Sequence, residues 1–228
     1  MKIRSKILFL ICIGILICCN RNKNEEPQPI QYYPEMKIGD AWIYRIDEVS
    51  KILSKEIGST YILKIEVIDT LRYNGEKYFQ KAWYKSSSEV GSWEYLKTSF
   101  EYRNQKGVFE KELNNHFQKV AFPVAFSTSW KVDQRTGVFE EGKAKYLTFN
   151  KKFTFGQEVL NDIYGVAVKY DSTGIYNFQE FEEYSPKYGL VSAYKKNILY
   201  CQENAACLGK NIEESKTTIT QTLVKVIR

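Results

Sequence analysis

A mainly β fold, one large antiparallel and curved sheet with little helix, is what this sequence predicts. Three observations predict it. The chain carries 17 Tyr, 13 Phe and 4 Trp in 228 residues, and with Thr, Val and Ile these suit a pleated, half-buried surface. Apolar and polar residues alternate with period two in several stretches. Turn residues fall between those stretches.

The elements follow in order. In "WIYRI", Trp42, Tyr44 and Ile46 share one face. In "YILKIEV", Tyr61, Leu63, Ile65 and Val67 oppose Lys64 and Glu66. Asn74-Gly75 then supplies the strongest short hairpin signal, because both residues tolerate the positive φ of a two-residue turn. "FEKELNNHF" spaces Phe109, Leu113 and Phe117 four apart, so a short helix and a hairpin turning at Asn114-Asn115 both fit. "YGVAVKY" repeats the alternation with Tyr164, Val166, Val168 and Tyr170, and Asp171 to Gly174 provides a further turn. Finally "TTITQTLVKVI" places Thr218, Thr220, Thr222, Val224 and Val226 on one side, with Ile219, Leu223 and Ile227 on the other. About ten to twelve strands after Trp42 point to an open barrel, a half-barrel or a sandwich.

The residues before this body carry a different signal. Lys2, Arg4 and Lys6 precede an uncharged run from Ile7 to Cys18, the order of a secretory signal peptide. Twelve residues fall short of the ~20 that a spanning helix needs. Leu16, Ile17 and Cys18 before Cys19 resemble the lipobox of bacterial lipoproteins, with Cys19 as the modified residue. That resemblance implies diacylglycerol on the thiol and a further chain, such as palmitate, on the freed amine. One acyl chain holds a protein to a membrane marginally, and two hold it firmly. Residues 1–18 are therefore expected to be a signal peptide, 19–32 a polar tether with two prolines, and 33–228 one β-rich domain. Lys23 to Glu26 faintly resemble the acidic patch that routes some lipoproteins to the cell surface, and a plain polar spacer is the preferred reading of them.

Composition narrows the partners. The formal charge is +6, from 33 basic and 27 acidic residues. Removing three signal-peptide cations leaves 33 − 3 = 30 against 27, or +3. The remaining charges alternate without a basic block, so no nucleic-acid partner is expected. Cys201 and Cys207 are the two cysteines of the body. Outside the cytoplasm "CQENAAC" can close a small disulfide loop, or the two can stay reduced.

Two aromatic-Pro segments echo one another: Tyr33-Pro34 leads to Trp42, and Phe122-Pro123 leads to Trp130. Each Trp reads as a plug for the end of a sheet, with ligand stacking as the competing role. Tyr33, Pro34, Gly39, Trp42 and Tyr44, together with Tyr184, Pro186, Tyr188, Gly189, Leu190 and Val191, resemble the opening and closing motifs of a Bacteroidota lipoprotein family whose biochemical role is unassigned. The resemblance reaches both ends of the domain. It implies a curved antiparallel sheet on an outer-membrane or surface lipoprotein and carries no catalytic residue across. Trp42, Tyr44, Trp130 and Tyr188 are the aromatics expected to line a ligand or fill the core.

Catalytic chemistry finds little footing. His116 is the only histidine, no second ligand cluster accompanies it, and it reads as a loop residue. No nucleophile elbow, phosphate loop or dinucleotide turn occurs. Glu180, Glu182 and Glu183 form a carboxylate cluster of the kind glycosidases use in pairs; on a half-solvated strand they are expected on the wet outer face. The expectation is a non-enzymatic binding or scaffold module in the cell envelope, without metal or cofactor, tethered to the outer membrane on its periplasmic or surface side. Its partner would be an envelope protein or an apolar ligand. The alternative is a periplasm-facing carrier of lipid or another hydrophobic molecule, for which a dry apolar tunnel would speak.

Overall fold

The structure is a computed structural model describing residues 32–52, 55–133, 143–203, 206–207 and 209–228. The signal peptide, Cys19 and nearly all of the tether lie outside the described residues.

Twelve strands make one antiparallel sheet. They are β1 (Ala41–Ile52), β2 (Lys55–Tyr73), β3 (Glu76–Ser86), β4 (Glu94–Asn104), β5 (Gly107–Glu112) and β6 (Asn115–Ala121), then β7 (Ser129–Trp130), β8 (Ala144–Phe155), β9 (Glu158–Ser172), β10 (Tyr176–Ser185), β11 (Gly189–Tyr200) and β12 (Glu213–Ile227). Their order is β6-β5-β4-β3-β2-β1-β12-β11-β10-β9-β8-β7. Each half is thus a run of hairpins, and the halves join where β1 pairs with β12, from Ala41↔Ile227 to Ile52↔Ser215. The sheet curls until its edges nearly meet. Phe117 bridges Asp133, the Gln118 amide donates to the Val132 carbonyl at 2.8 Å, and the Trp130 indole donates to the Gln118 carbonyl at 2.9 Å. Of the architectures left open by the sequence, a nearly closed barrel is the one adopted.

Local chemistry explains the turns. Asn74 (φ 51°) and Gly75 (φ 83°) both take positive φ, the requirement of the two-residue turn between β2 and β3. Between β5 and β6 the hairpin prevails over the short helix, turning at Leu113 (φ 50°) and Asn114. His116 consequently sits in strand β6, not in a loop, with its Nε2 2.9 Å from the Tyr102 hydroxyl. There it joins an aromatic cluster in which Tyr102 stacks on Phe109 at 4.9 Å.

Bulges explain where the alternation fails. The β9/β10 register skips Val168, pairing Glu180 with Lys169 and Phe181 with Ala167. Tyr164 and Val166 stay buried, whereas Tyr170 turns outward at 67% exposure. In β12 the register skips Val224 between Lys225 and Leu223. Leu223 is buried, Val226 packs against the core, and Ile227 is exposed. A bulge inserts one residue and so reverses the facing of the residues beyond it.

Besides the aromatic cluster around Tyr102, the described residues hold two larger apolar clusters. One gathers Trp42, Tyr44, Ile65 and Val67 from the first half with Ile163 and Leu223 from the second. The other joins Val108 and Val120 to Trp130, Tyr146, Tyr164 and Tyr184.

Candidate functional site

Between the facing walls lies a hollow of about 210 Å³, lined in part by Trp42, Trp83, Lys81, Glu101, Glu110 and Lys119. Glu180, Glu182, Ala193 and Gln221 form the opposing wall on β10, β11 and β12.

The floor of the hollow is an ion-paired network. Lys81 Nζ lies 3.0 Å from Glu101 Oε2 and 3.4 Å from Glu110 Oε1. Arg103 Nη2 approaches Glu101 Oε1 at 3.3 Å, and its guanidinium lies over the Tyr33 ring, 4.7 Å from the centroid. Ser99 donates to Glu110 at 2.7 Å and accepts from the Trp83 indole at 2.9 Å. Across the barrel, Lys119 Nζ donates to Glu182 Oε1 at 2.5 Å, while Tyr184 donates to the other oxygen of the same carboxylate. Three cations (Lys81, Arg103, Lys119) therefore face three carboxylates (Glu101, Glu110, Glu182). A buried charge is tolerable only when paired and hydrogen-bonded.

This arrangement corrects the placement of the carboxylate cluster. Glu182 is 5% exposed and faces the interior, Glu180 lines the hollow beside it, and only Glu183 turns the other way, to an exposed pair with Lys151. The reason is a partner the local pattern does not reveal. The β5/β6 ladder pairs Val108 with Val120 and Phe109 with Gln118, so Lys119 is the extra residue of a bulge. Bulges re-aim side chains, and this one sends an ammonium across to Glu182.

Proton affinities follow from the pairing. Burial alone would raise the Glu110 carboxyl, yet Lys81, Lys119, the Ser99 hydroxyl and Lys97 outweigh it and bring it down to about 2. Burial alone would lower the Lys81 and Lys119 ammoniums, but the neighbouring carboxylates push both up. Tyr33, Tyr44 and Tyr184 are raised, first by burial and then by nearby carboxylates.

The opening and closing sequence motifs meet beside the hollow. The Trp42 indole donates to the Tyr188 carbonyl at 2.7 Å, and the Tyr44 hydroxyl donates to the Leu190 carbonyl at 3.0 Å. Gly189 lies between those acceptors at φ +77°, where an added Cβ would stand 3.2 Å from the Tyr33 ring and 3.5 Å from Pro34. Tyr188 reaches Glu158 at 2.7 Å. Three of the four expected aromatics, Trp42, Tyr44 and Tyr188, thus line the hollow. Trp130 belongs to the second cluster at the barrel seam. Cys201 and Cys207 form a disulfide beyond the end of β11. Cys19 lies outside the described residues.

Lys81, Glu101, Glu110 and Lys119 are the residues that sequence reasoning missed. A faint signal existed for the first. Lys81 shares a strand face with Phe79 and Trp83, and a lysine between two large aromatics asks for an interior anion.

Among the described residues, no group of His, Cys, Asp and Glu has the arrangement of a metal site, and no helix is long and apolar enough to cross a membrane. No family model and no curated protein matches the chain. Two solved structures are similar to it. One is a candidate exported protein with a YmcC-like fold from Bacteroides fragilis, at 11% identity over 86% of this chain and 99% of that one, with a TM-score of 0.37. The other is a candidate lipoprotein from Parabacteroides distasonis, at 11% identity over 86% and 98%, with a TM-score of 0.46.

Proposed function

We propose that this chain is a lipid-anchored cell-envelope protein acting as a non-enzymatic binding or scaffold module, with Cys19 bearing the acyl chains and the β-barrel presented to partners on a short tether. The anchor reading rests on the residues before the tether: three cations, a short apolar run and Leu16-Ile17-Cys18-Cys19. An outer-membrane position, on the periplasmic or surface side, follows from the family resemblance of the sequence.

One observation carries the non-enzymatic reading. Three titratable groups of the hollow are held in their resting charge states, with Glu110 brought down to about 2 and the Lys81 and Lys119 ammoniums pushed up. General acid-base catalysis works best with a proton affinity near the operating pH, and these partners pull away from it. The carrier alternative draws less support. A tunnel for an acyl chain needs several hundred Å³ of apolar lining, whereas this hollow has about 210 Å³ and a charged floor.

The experiment is extraction of the full chain from membranes in mild detergent, followed by pull-down and lipid mass spectrometry. The scaffold reading expects a stoichiometric envelope protein and acyl chains only on the N-terminal cysteine; a co-purifying free lipid at one per chain would favour the carrier instead. Cys19→Ser is expected to leave the membrane fraction. Retention with unchanged processing would remove the anchor from the proposal.

A further inference from the structure

The hollow is more than a gap in the packing. Three polar groups stand on its β10–β12 wall, and one of them has no partner among the described residues. The Gln221 Nε2 is shielded from solvent and has no hydrogen-bond partner. Glu180 and Lys195 face one another across β10 and β11 and line the hollow, with the Glu180 carboxylate also acting on the Lys119 ammonium. A buried amide left unsatisfied costs free energy that native proteins rarely carry without a use. The register shows why there is space in front of it. Ala193 pairs with Glu182 on one side and Gln221 on the other, so a methyl group occupies the middle of a row whose neighbours are long. Glu180 and Lys195 stand in the next row, beside Ile219, and Lys195 is exposed, which sets them at the mouth.

From this geometry we propose that the hollow is a binding site for a small, neutral, polyhydroxylated molecule about the size of one sugar ring. Size comes first. A cavity of about 150 Å³ accepts a benzene ring, so 210 Å³ takes a six-membered ring bearing hydroxyls. Charge comes second. The floor is already neutral, three cations against three carboxylates, and a ligand with net charge would leave that charge uncompensated at low dielectric. Hydroxyls can instead accept from the Gln221 amide and the Lys195 ammonium and donate to the Glu180 carboxylate. The third element is lining: Trp42 and Trp83 border the hollow and add apolar ring surface to its polar groups, the mixture that the C–H and O–H sides of a sugar ring need. Each feature alone is common, and their convergence on one hollow carries the inference. It goes beyond the anchored-module reading and does not depend on the lipid or on a protein partner.

The test uses the full chain in a detergent without a sugar headgroup, with D-glucose, D-galactose and their methyl glycosides as probes. Binding is read by tryptophan fluorescence and by saturation-transfer NMR, with leucine and glycine betaine as zwitterionic controls. At least one sugar should bind saturably, with a dissociation constant of about 1 mM or tighter, the range expected for a ligand of about a dozen heavy atoms. Ala193→Leu fills the hollow and should weaken binding at least about tenfold, the effect of losing one good contact. Gln221→Leu removes the donor without filling the hollow and provides a second variant should Ala193→Leu fail to fold. Retained circular dichroism and melting behaviour qualify either variant. Three results would each overturn the proposal: no saturable sugar binding, sugar binding unchanged in a folded variant, or binding of the zwitterions in preference to the sugars.

Discussion

Replacing Glu110 by Gln tests the ion-paired floor most directly. The substitution keeps the shape and leaves a carbonyl oxygen to accept from Ser99, which donates to the carboxylate at 2.7 Å. Lys81 keeps its nearer partner, Glu101, at 3.0 Å, so the change removes one charge without orphaning a cation. Glu110 titrates at about 2 in the fold against an ordinary 4.5. A difference of about 2.5 pH units, at about 1.36 kcal/mol for each, corresponds to about 3 kcal/mol. Because the folded value is the lower one, this stability is fully present above 4.5 and is lost as pH falls through 4.5 towards 2. Urea unfolding followed by tryptophan fluorescence at several pH values reads it. At pH 7 Glu110→Gln should be about 3 kcal/mol less stable than the parent, a large part of the 5–15 kcal/mol typical of a domain, and the gap should close as the buffer approaches pH 2. A gap under about 0.5 kcal/mol at pH 7, the scale of an ordinary surface substitution, would refute the reasoning, as would a gap that does not change with pH.

Other outcomes follow from single features. Gly189→Ala puts a Cβ at φ +77° against the Tyr33 ring and should cost about 1–3 kcal/mol, read as a lowered urea midpoint. His116, whose imidazole is lowered by burial and by Lys111, should titrate below 6.5 by NMR; since the fold binds that proton more weakly than the unfolded chain, stability should decline as pH drops through 6.5. Reducing the Cys201–Cys207 disulfide, which spans six residues, should cost about 2 kcal/mol by loop closure and lower Tm by about 5 °C for a chain of this size.

The strands were legible because their signal is local. Trp42, Tyr44 and Ile46 alternate in sequence and are buried together, and Asn74-Gly75 turns as its chemistry requires. The hollow was less legible because its logic is distant in sequence. Glu182 is held inside by Lys119, 63 residues away, and Lys119 is aimed there by a bulge that shifts the pairing by one residue. Alternation counted along one strand places a glutamate on the solvent side unless the cation facing it is known. The aromatic motifs fall between these cases. Trp42 and Tyr44, and Tyr188 to Leu190, stood out as clusters, but that each donor of the first would find a carbonyl of the second depends on how the sheet curls.

The pairing of β1 with β12 imposes an order of assembly. Strands β1 to β6 and β7 to β12 can each zip up as neighbouring hairpins, but the seam that unites them pairs the first of these strands with the twelfth. A chain threaded through a membrane amino end first could not close that seam until the fifteen residues of β12 had emerged. Until then the leading half would present β1 as an open edge, with Lys81, Glu101 and Glu110 lacking the wall that completes their enclosure. Loss of β12 by proteolysis or premature termination should therefore leave two meanders joined only at the β6/β7 edge, not a slightly shortened barrel.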